Sequence, residues 1–386
     1  MSNHKPIFIF EPLFPTSDIL KEIKICLDKG WTGLGFKTIE FEEKWKKYTN
    51  LPNAHFVSSC TAALHLAVHV LKKFYKWEDE DEIITTPFTF VSSNHVILYE
   101  NLKPVFADID QYLCLDPISV EKKITKKTKA VMFVGIAGNT GQIKQISKIC
   151  KERNLKLILD AAHMTGTKIR KNNRILHVGS EADVSAFGFH SVKNLPTADS
   201  GMLCFKNKKL DQYSRKLSWL GIDKTTFKRK TNKKYNWEYD INEIGFKYHG
   251  NSIMASMAIV GLKYIDKNNE KRNKMSNLYK KLLQNIPEVK TICIHPYCVL
   301  SSRHLFQIRV AAKKRNKLIQ FLNAKKIFPG VHYKDNTCYK PYRYAYGSCP
   351  SSLKASKEII SLPLHLKLNS KKIKYVTDSI KKYFCI

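Results

Sequence analysis

Leu155-Lys156-Leu157-Ile158-Leu159-Asp160 is an apolar run that ends on a carboxylate, and Val184-Ser185-Ala186-Phe187-Gly188-Phe189 is a second run that leads, through His190-Ser191-Val192, to Lys193. Short apolar runs bounded by small and polar residues predict buried strands. Each of these two delivers an ionisable group near its C-terminal end. In a chain rich in lysine, Lys193 stands apart because Phe, Gly, Ser and Val flank it in place of other charges. A lone lysine is ordinarily a solvated surface charge. Those flanks favour a buried, chemically used amine. A carboxylate that closes an apolar strand is costly unless paired.

An amine and a carboxylate at the ends of two such strands suit pyridoxal 5'-phosphate (PLP). The Lys193 amine condenses with the cofactor aldehyde, and Asp160 keeps the ring nitrogen protonated so that the ring can act as an electron sink.

Outward from these runs, strands and helices alternate. Further strands are expected at Ala54–Val57, Glu82–Thr85, Pro104–Ala107, Ala130–Val134 and Gly201–Phe205, and helices at Ala62–Phe74, Ser92–Tyr99 and Ile143–Asn154. Such alternation predicts an α/β fold, with a mostly parallel sheet in a large α/β/α domain. Ligands in these folds sit at the carboxyl ends of the strands. Near Gly250 the pattern changes. Ser252–Asn285 reads as one long amphipathic helix with a charged middle at Asp266–Lys274, followed by a strand-rich block and a last helix over Ser370–Phe384. The expected division is residues 1–250 for the large cofactor-binding domain and 251–386 for a smaller α+β domain.

Composition narrows the classes. Hydrophobic residues at 43% and charged residues at 26% are ordinary for a globular protein. The apolar runs are strand-length, far short of the roughly 20 residues of a membrane span. With no apolar leader after Met1, a cytoplasmic location is expected. The ten cysteines are scattered singly and read as buried reduced thiols, with no metal site. A net charge of +33 raises the alternative of a basic nucleic-acid-binding protein on an inactive scaffold. The charge is spread along the whole chain, which disfavours that alternative. Only Lys224–Lys234 forms a dense run, read as a loop.

Two further stretches add donors and aromatic surface. Val57-Ser58-Ser59-Cys60-Thr61-Ala62 passes from a strand into a helix, where free N–H groups suit a phosphate. Plain N-capping is the simpler use of those hydroxyls. In Thr86-Pro87-Phe88-Thr89-Phe90, Phe90 is placed to stack on a flat ring or to pack in the core. Ala161 and Ala162 leave room for a ring beside Asp160, and His163 can reach its phenolic oxygen; a satisfied structural histidine is the commoner use of a lone His.

In order and spacing these features resemble the DegT/DnrJ/EryC1/StrS family, sugar aminotransferases of the fold type I PLP-dependent class. Gly30-Trp31-Thr32-Gly33, Gly135-Ile136-Ala137-Gly138-Asn139, Gly245-Phe246-Lys247-Tyr248 and Ser361-Leu362-Pro363-Leu364 extend the similarity along nearly the whole chain. The resemblance implies that Lys193 is the Schiff-base lysine, Asp160 the ring-nitrogen partner, His163 a ring neighbour and Phe90 the stacking aromatic. Thr61 and Ala62 match the phosphate-binding pair. His249, with Asn251 close by, would reach the phosphate of a neighbouring subunit, so a homodimer with active sites at the interface is implied. His332 and Tyr333, in Gly330-Val331-His332-Tyr333, would line the sugar pocket.

Three positions depart from the family pattern. Gly188 stands for a serine that donates to phosphate, Cys60 for a glycine in the phosphate loop, and Ala198-Asp199-Ser200-Gly201 for Gly-Glu-Gly-Gly. The implied reaction is amino transfer from glutamate to a nucleotide-diphospho keto sugar. A UDP- or dTDP-linked 4-keto-6-deoxyhexose would become a 4-amino-4,6-dideoxy sugar such as viosamine. Lys224, Lys228 and Arg229 in the basic loop are candidates for the diphosphate; a solvated loop is the plainer reading. A 3-keto sugar aminotransferase of the same family is the alternative reaction. Dehydratases similar to this family carry His at the position of Lys193.

Overall fold

The computed structural model describes residues 5–223, 230–231, 234–235 and 238–385. Seven apolar runs form one sheet: His55–Val57 (β1), Glu82–Thr85 (β2), Lys103–Phe106 (β3), Thr128–Val134 (β4), Lys156–Asp160 (β5), Val184–Gly188 (β6) and Gly201–Phe205 (β7). Their spatial order is β1-β7-β6-β5-β4-β2-β3. All neighbouring pairs are parallel except the two that β7 makes, with β6 and with β1. Asp160 therefore ends the middle strand, opposite Val134 on one side and Ala186 on the other.

Alternate residues of these strands feed two separate cores, which is why the runs read as continuously apolar. Val131, Phe133, Leu157, Leu159, Phe187 and Met202 pack on one face with Phe41 and Trp45 of the helix Phe36–Thr49. Ala130, Met132, Ile158, Ala186 and Leu203 pack on the other with Leu64, Ala67 and Leu71 of the helix Cys60–Tyr75. Helices on both faces make the expected α/β/α sandwich.

Ser252–Asn285 departs from the single helix expected. It is two helices, Ser252–Leu262 and Ile265–Leu283, joined at Lys263 and Tyr264. There the amides of Lys263 and Tyr264 bond to the carbonyls of Val260 and Gly261, a tighter turn than the helical ladder. The physical reason lies in what each half buries. Ala255, Ala258 and Ile259 pack into the first core, whereas Met275, Tyr279 and Leu283 belong to a third. That third core also holds Phe306, Ile308, Ile360 and Leu362 from a three-stranded antiparallel sheet, and Ile373, Val376 and Ile380 of the helix Ser370–Phe384.

At the end of the basic run, Lys230–Thr231 pairs antiparallel with Lys234–Tyr235, where a loop was expected. Lys224, Lys228 and Arg229 lie outside the described residues. All ten thiols are free; Cys293 and Cys385 are exposed, so burial does not account for every one. Among the described residues no group of His, Cys, Asp or Glu is arranged to hold a metal, and no helix is long and apolar enough to cross a membrane.

One polar cluster fastens the second layer. Glu100 Oε1 accepts from His65 at 2.7 Å and from His69 at 2.9 Å. The other ring nitrogen of His65 lies 3.0 Å from the Tyr248 hydroxyl. Burial opposes ionisation of Glu100, but the two histidine hydrogen bonds prevail and bring its pKa down to about 2. A carboxyl group depressed on folding contributes stability above its unfolded value of about 4.3, and that contribution is lost as the pH falls towards its folded value. Glu100→Gln should thus lower stability to urea at pH 7 by about 1–3 kcal/mol, with the gap from the parent closing below about pH 4. Urea titrations at both pH values check this.

Candidate active site

The C-terminal ends of β5 and β6 open on a cavity of about 370 Å³. That lies within the range typical of small-molecule pockets. Asp160, His163, Lys193, Phe90, Thr61, Cys60, His332 and Tyr333 all line it, so eight of the residues expected from sequence meet in one place.

Asp160 is 5% exposed. Its Oδ2 accepts from Ser93 Oγ at 2.7 Å, and its Oδ1 from the Ala162 amide at 3.0 Å. Both donors are neutral. Burial pushes the carboxyl pKa up, against those two bonds and the more distant Lys193. A cation on the open side would offset that burial. The protonated nitrogen of a pyridine ring has the shape and charge for that position.

Lys193 follows β6 by a turn in which its amide donates to the His190 carbonyl at 2.8 Å. Burial lowers the pKa of its ammonium, opposed by Cys60, Asp160 and Asp199. The next residue, Asn194, anchors the turn through bonds to Asn269 and to the Ser302 carbonyl.

At another wall, Ser59 caps the helix Cys60–Tyr75, accepting from the Ala62 amide at 3.0 Å. The Ala63 amide is taken by the Ser59 carbonyl. The amides of Cys60 and Thr61 are thus left for a ligand among the described residues, and both residues line the cavity. The capping expected here is present, and it leaves those two amides unengaged. Ala62 is buried just behind.

His163 Nδ1 accepts from the Ala137 amide at 3.2 Å, at a kink where Ala137 adopts a positive φ of 56°. The ring is kept neutral by burial and, secondarily, by Lys193 and His332. Its proton is then on Nε2, 3.2 Å from the Tyr333 hydroxyl. His332 bonds Ser361 through Nδ1 at 3.0 Å, and burial brings its pKa down to about 4.

His249 and Asn251 are not in the cavity of their own chain. The His249 backbone bridges Val57 and its ring meets Trp219 edge-on, while Asn251 caps the helix Ser252–Leu262. Sequence reading missed Phe10, Ser92, His304 and Asp199, which line the cavity, and Ser93, which holds Asp160. The Ser92-Ser93 pair beside Phe90 was the available signal for the last.

An amine and a carboxylate at the C-terminal edge of a mostly parallel sheet, with free helix amides beside them, define a PLP-dependent fold type I enzyme. The DegT/DnrJ/EryC1/StrS aminotransferase family model matches residues 15–381, and the chain belongs to that family. It is 31% identical to the UDP-4-amino-4,6-dideoxy-N-acetyl-β-L-altrosamine transaminase of Campylobacter jejuni over 96% of this chain and 97% of that protein. Among solved structures it resembles Helicobacter pylori PseC, an aminotransferase involved in pseudoaminic acid biosynthesis (TM-score 0.88, 26% identity, 98% and 99% of the two chains). A Streptococcus pneumoniae protein solved in its PLP form is similar too (TM-score 0.87, 27% identity, 97% and 98%).

Two of the departures from the family pattern touch each other. A Cβ built on Gly188 would stand 3.2 Å from the Cys60 Cβ. The side chain at 60 fills the space that a side chain at 188 would need. Gly188→Ser alone should therefore cost about 1–3 kcal/mol of stability. Adding Cys60→Gly should return at least half of it, and a thermal-denaturation double-mutant cycle reads the coupling.

Proposed function

We propose that this enzyme transfers an amino group from glutamate to a UDP- or dTDP-linked 4-keto-6-deoxyhexose, giving the 4-amino-4,6-dideoxy sugar. The observation that carries this reading is the near full-length match to the Campylobacter transaminase, whose name puts an amine at C4 of a 6-deoxy UDP sugar. The cavity walls suit it. Beyond Asp160 and Lys193 they continue into Phe90, His332 and Tyr333, which offer an aromatic face and polar edges to a hexose.

When bound, PLP supplies the electron sink. The chain's own residues do the rest. Asp160 holds the proton on the ring nitrogen. Burial keeps the Lys193 amine able to shed its proton, so it would serve as base at the donor α-carbon and then as acid at C4′ of the cofactor. His163 Nε2–H, 3.2 Å from the Tyr333 hydroxyl, would donate to the phenolic oxygen, and the Cys60 and Thr61 amides would receive the phosphate. Phe90 closes the ring face against water. His249 and Asn251, outside their own cavity, are assigned to that of a second copy in a homodimer, and Lys224, Lys228 and Arg229 to the sugar diphosphate.

Product analysis tests this. With glutamate and UDP- or dTDP-linked 3-keto and 4-keto sugars offered separately, amine should appear at C4, with kcat/KM at least about tenfold above that of any 3-keto sugar. Amine at C3 instead would establish the alternative reaction, and transfer to neither sugar would overturn the reading.

A further inference from the structure

One histidine in the cavity wall has no role in the reaction described above. His304 is 2% exposed and lines the same cavity as Lys193. Its ring lies between two others, 4.3 Å from that of His163 and 5.4 Å from that of Phe10, almost parallel to the latter at 15°. Phe10 stacks on the ring and the His163 ring, tilted by 36°, packs against it as well, which limits its freedom to turn.

Its protonation pattern follows from a chain of amides. Asn269 Nδ2 donates to the Thr165 carbonyl at 3.0 Å. Asn194 Nδ2 donates to the Ser302 carbonyl at 2.5 Å and to Asn269 Oδ1 at 2.8 Å. Backbone carbonyls only accept, so both amides are held one way round. Asn194 is left presenting its oxygen to His304 Nδ1, 3.0 Å away. That nitrogen must carry a proton. Burial disfavours a second one, and the groups that face the ring (His163, Lys193, Arg272 and His332) all act in the same direction. Nε2 therefore holds a bare lone pair and has no partner among the described residues. His163 has the opposite arrangement, because the Ala137 amide occupies its Nδ1. Both rings line the cavity, so its wall combines a protonated Nε2 on His163, 3.2 Å from the Tyr333 hydroxyl, with an unprotonated Nε2 on His304.

We infer that His304 Nε2 is a fixed hydrogen-bond acceptor for a hydroxyl group of the bound sugar, oriented by the Asn194–Asn269 relay, and that it selects substrates carrying a donor there. The sugar part of this inference rests on the proposed function; the tautomer does not. An acceptor that cannot become a donor rejects a deoxy or O-methyl analogue, because it would be left desolvated and unpaired.

Two measurements test it. In the PLP-loaded enzyme labelled with 15N-histidine, with the His304 signals assigned by their loss in His304→Gln, NMR should show a neutral ring protonated on Nδ1 between about pH 6 and 8. Protonation on Nε2, or a charged ring, overturns the inference. In single-turnover kinetics, His304→Phe should lose about 10- to 100-fold in kcat/KM for the keto sugar. The loss in the glutamate half-reaction should be at least about tenfold smaller, and His304→Gln, which restores an acceptor, should recover part of the sugar step. Equal losses in both half-reactions, or none in either, contradict the role. If the wild-type enzyme completes the glutamate half-reaction and no keto sugar reacts, the sugar reading fails and the tautomer result still stands by itself.

Discussion

A carboxylate and an amine share one buried cavity, and neither is paired well enough to be at rest there. Burial drives Asp160 towards its neutral acid and Lys193 towards its neutral amine. Removing both charges from water is repaid only by partners of the right charge and geometry. A protonated pyridine ring held between them would offer such a partner to Asp160, and its aldehyde would take the Lys193 amine into a covalent link. The unsatisfied state of the cavity is thus the physical reason that it holds a cofactor, and the remaining architecture keeps the two groups at their stations.

The sheet does most of that work. β5 is flanked on both sides by parallel strands, so the Asp160 backbone is tied in two directions, its carbonyl accepting from the Gly135 amide at 3.1 Å. Close approach of chain segments completes the frame. A Cβ on Gly201 would stand 2.7 Å from the Ser59 carbonyl carbon and oxygen, so only glycine lets β7 run beside the cap of the helix Cys60–Tyr75. The second half of the chain closes the cavity from above. His304, His332 and Tyr333 all come from that half, with Phe306, two residues after His304, in the third core and Tyr333 packed against the first.

Much of this was legible in the sequence where one residue carries its own signal. Asp160 and Lys193 were identified by apolar flanks, and Ser59 to Thr61 by hydroxyls at a strand-to-helix junction. These are local patterns with local physical causes. His304 gave no comparable signal, because its role depends on Asn194 and Asn269, which are distant in sequence and meet only through tertiary packing. The break at Lys263–Tyr264 was hidden for a similar reason. Helical periodicity continues through it, and the bend lets the chain leave the first core, which Ile265 still shares, for the third, where Met275, Tyr279 and Leu283 pack. The contact between Gly188 and Cys60 likewise turned two apparently separate departures into one.

The central claim is that the Lys193 amine carries the cofactor. Reduction of the PLP-loaded protein with borohydride, followed by proteolysis and peptide mass spectrometry, tests it most directly. The account expects one modified peptide, the one containing Lys193, and no stable label in Lys193→Ala. Label on another of the chain's many lysines, with Lys193 unmodified, would contradict it.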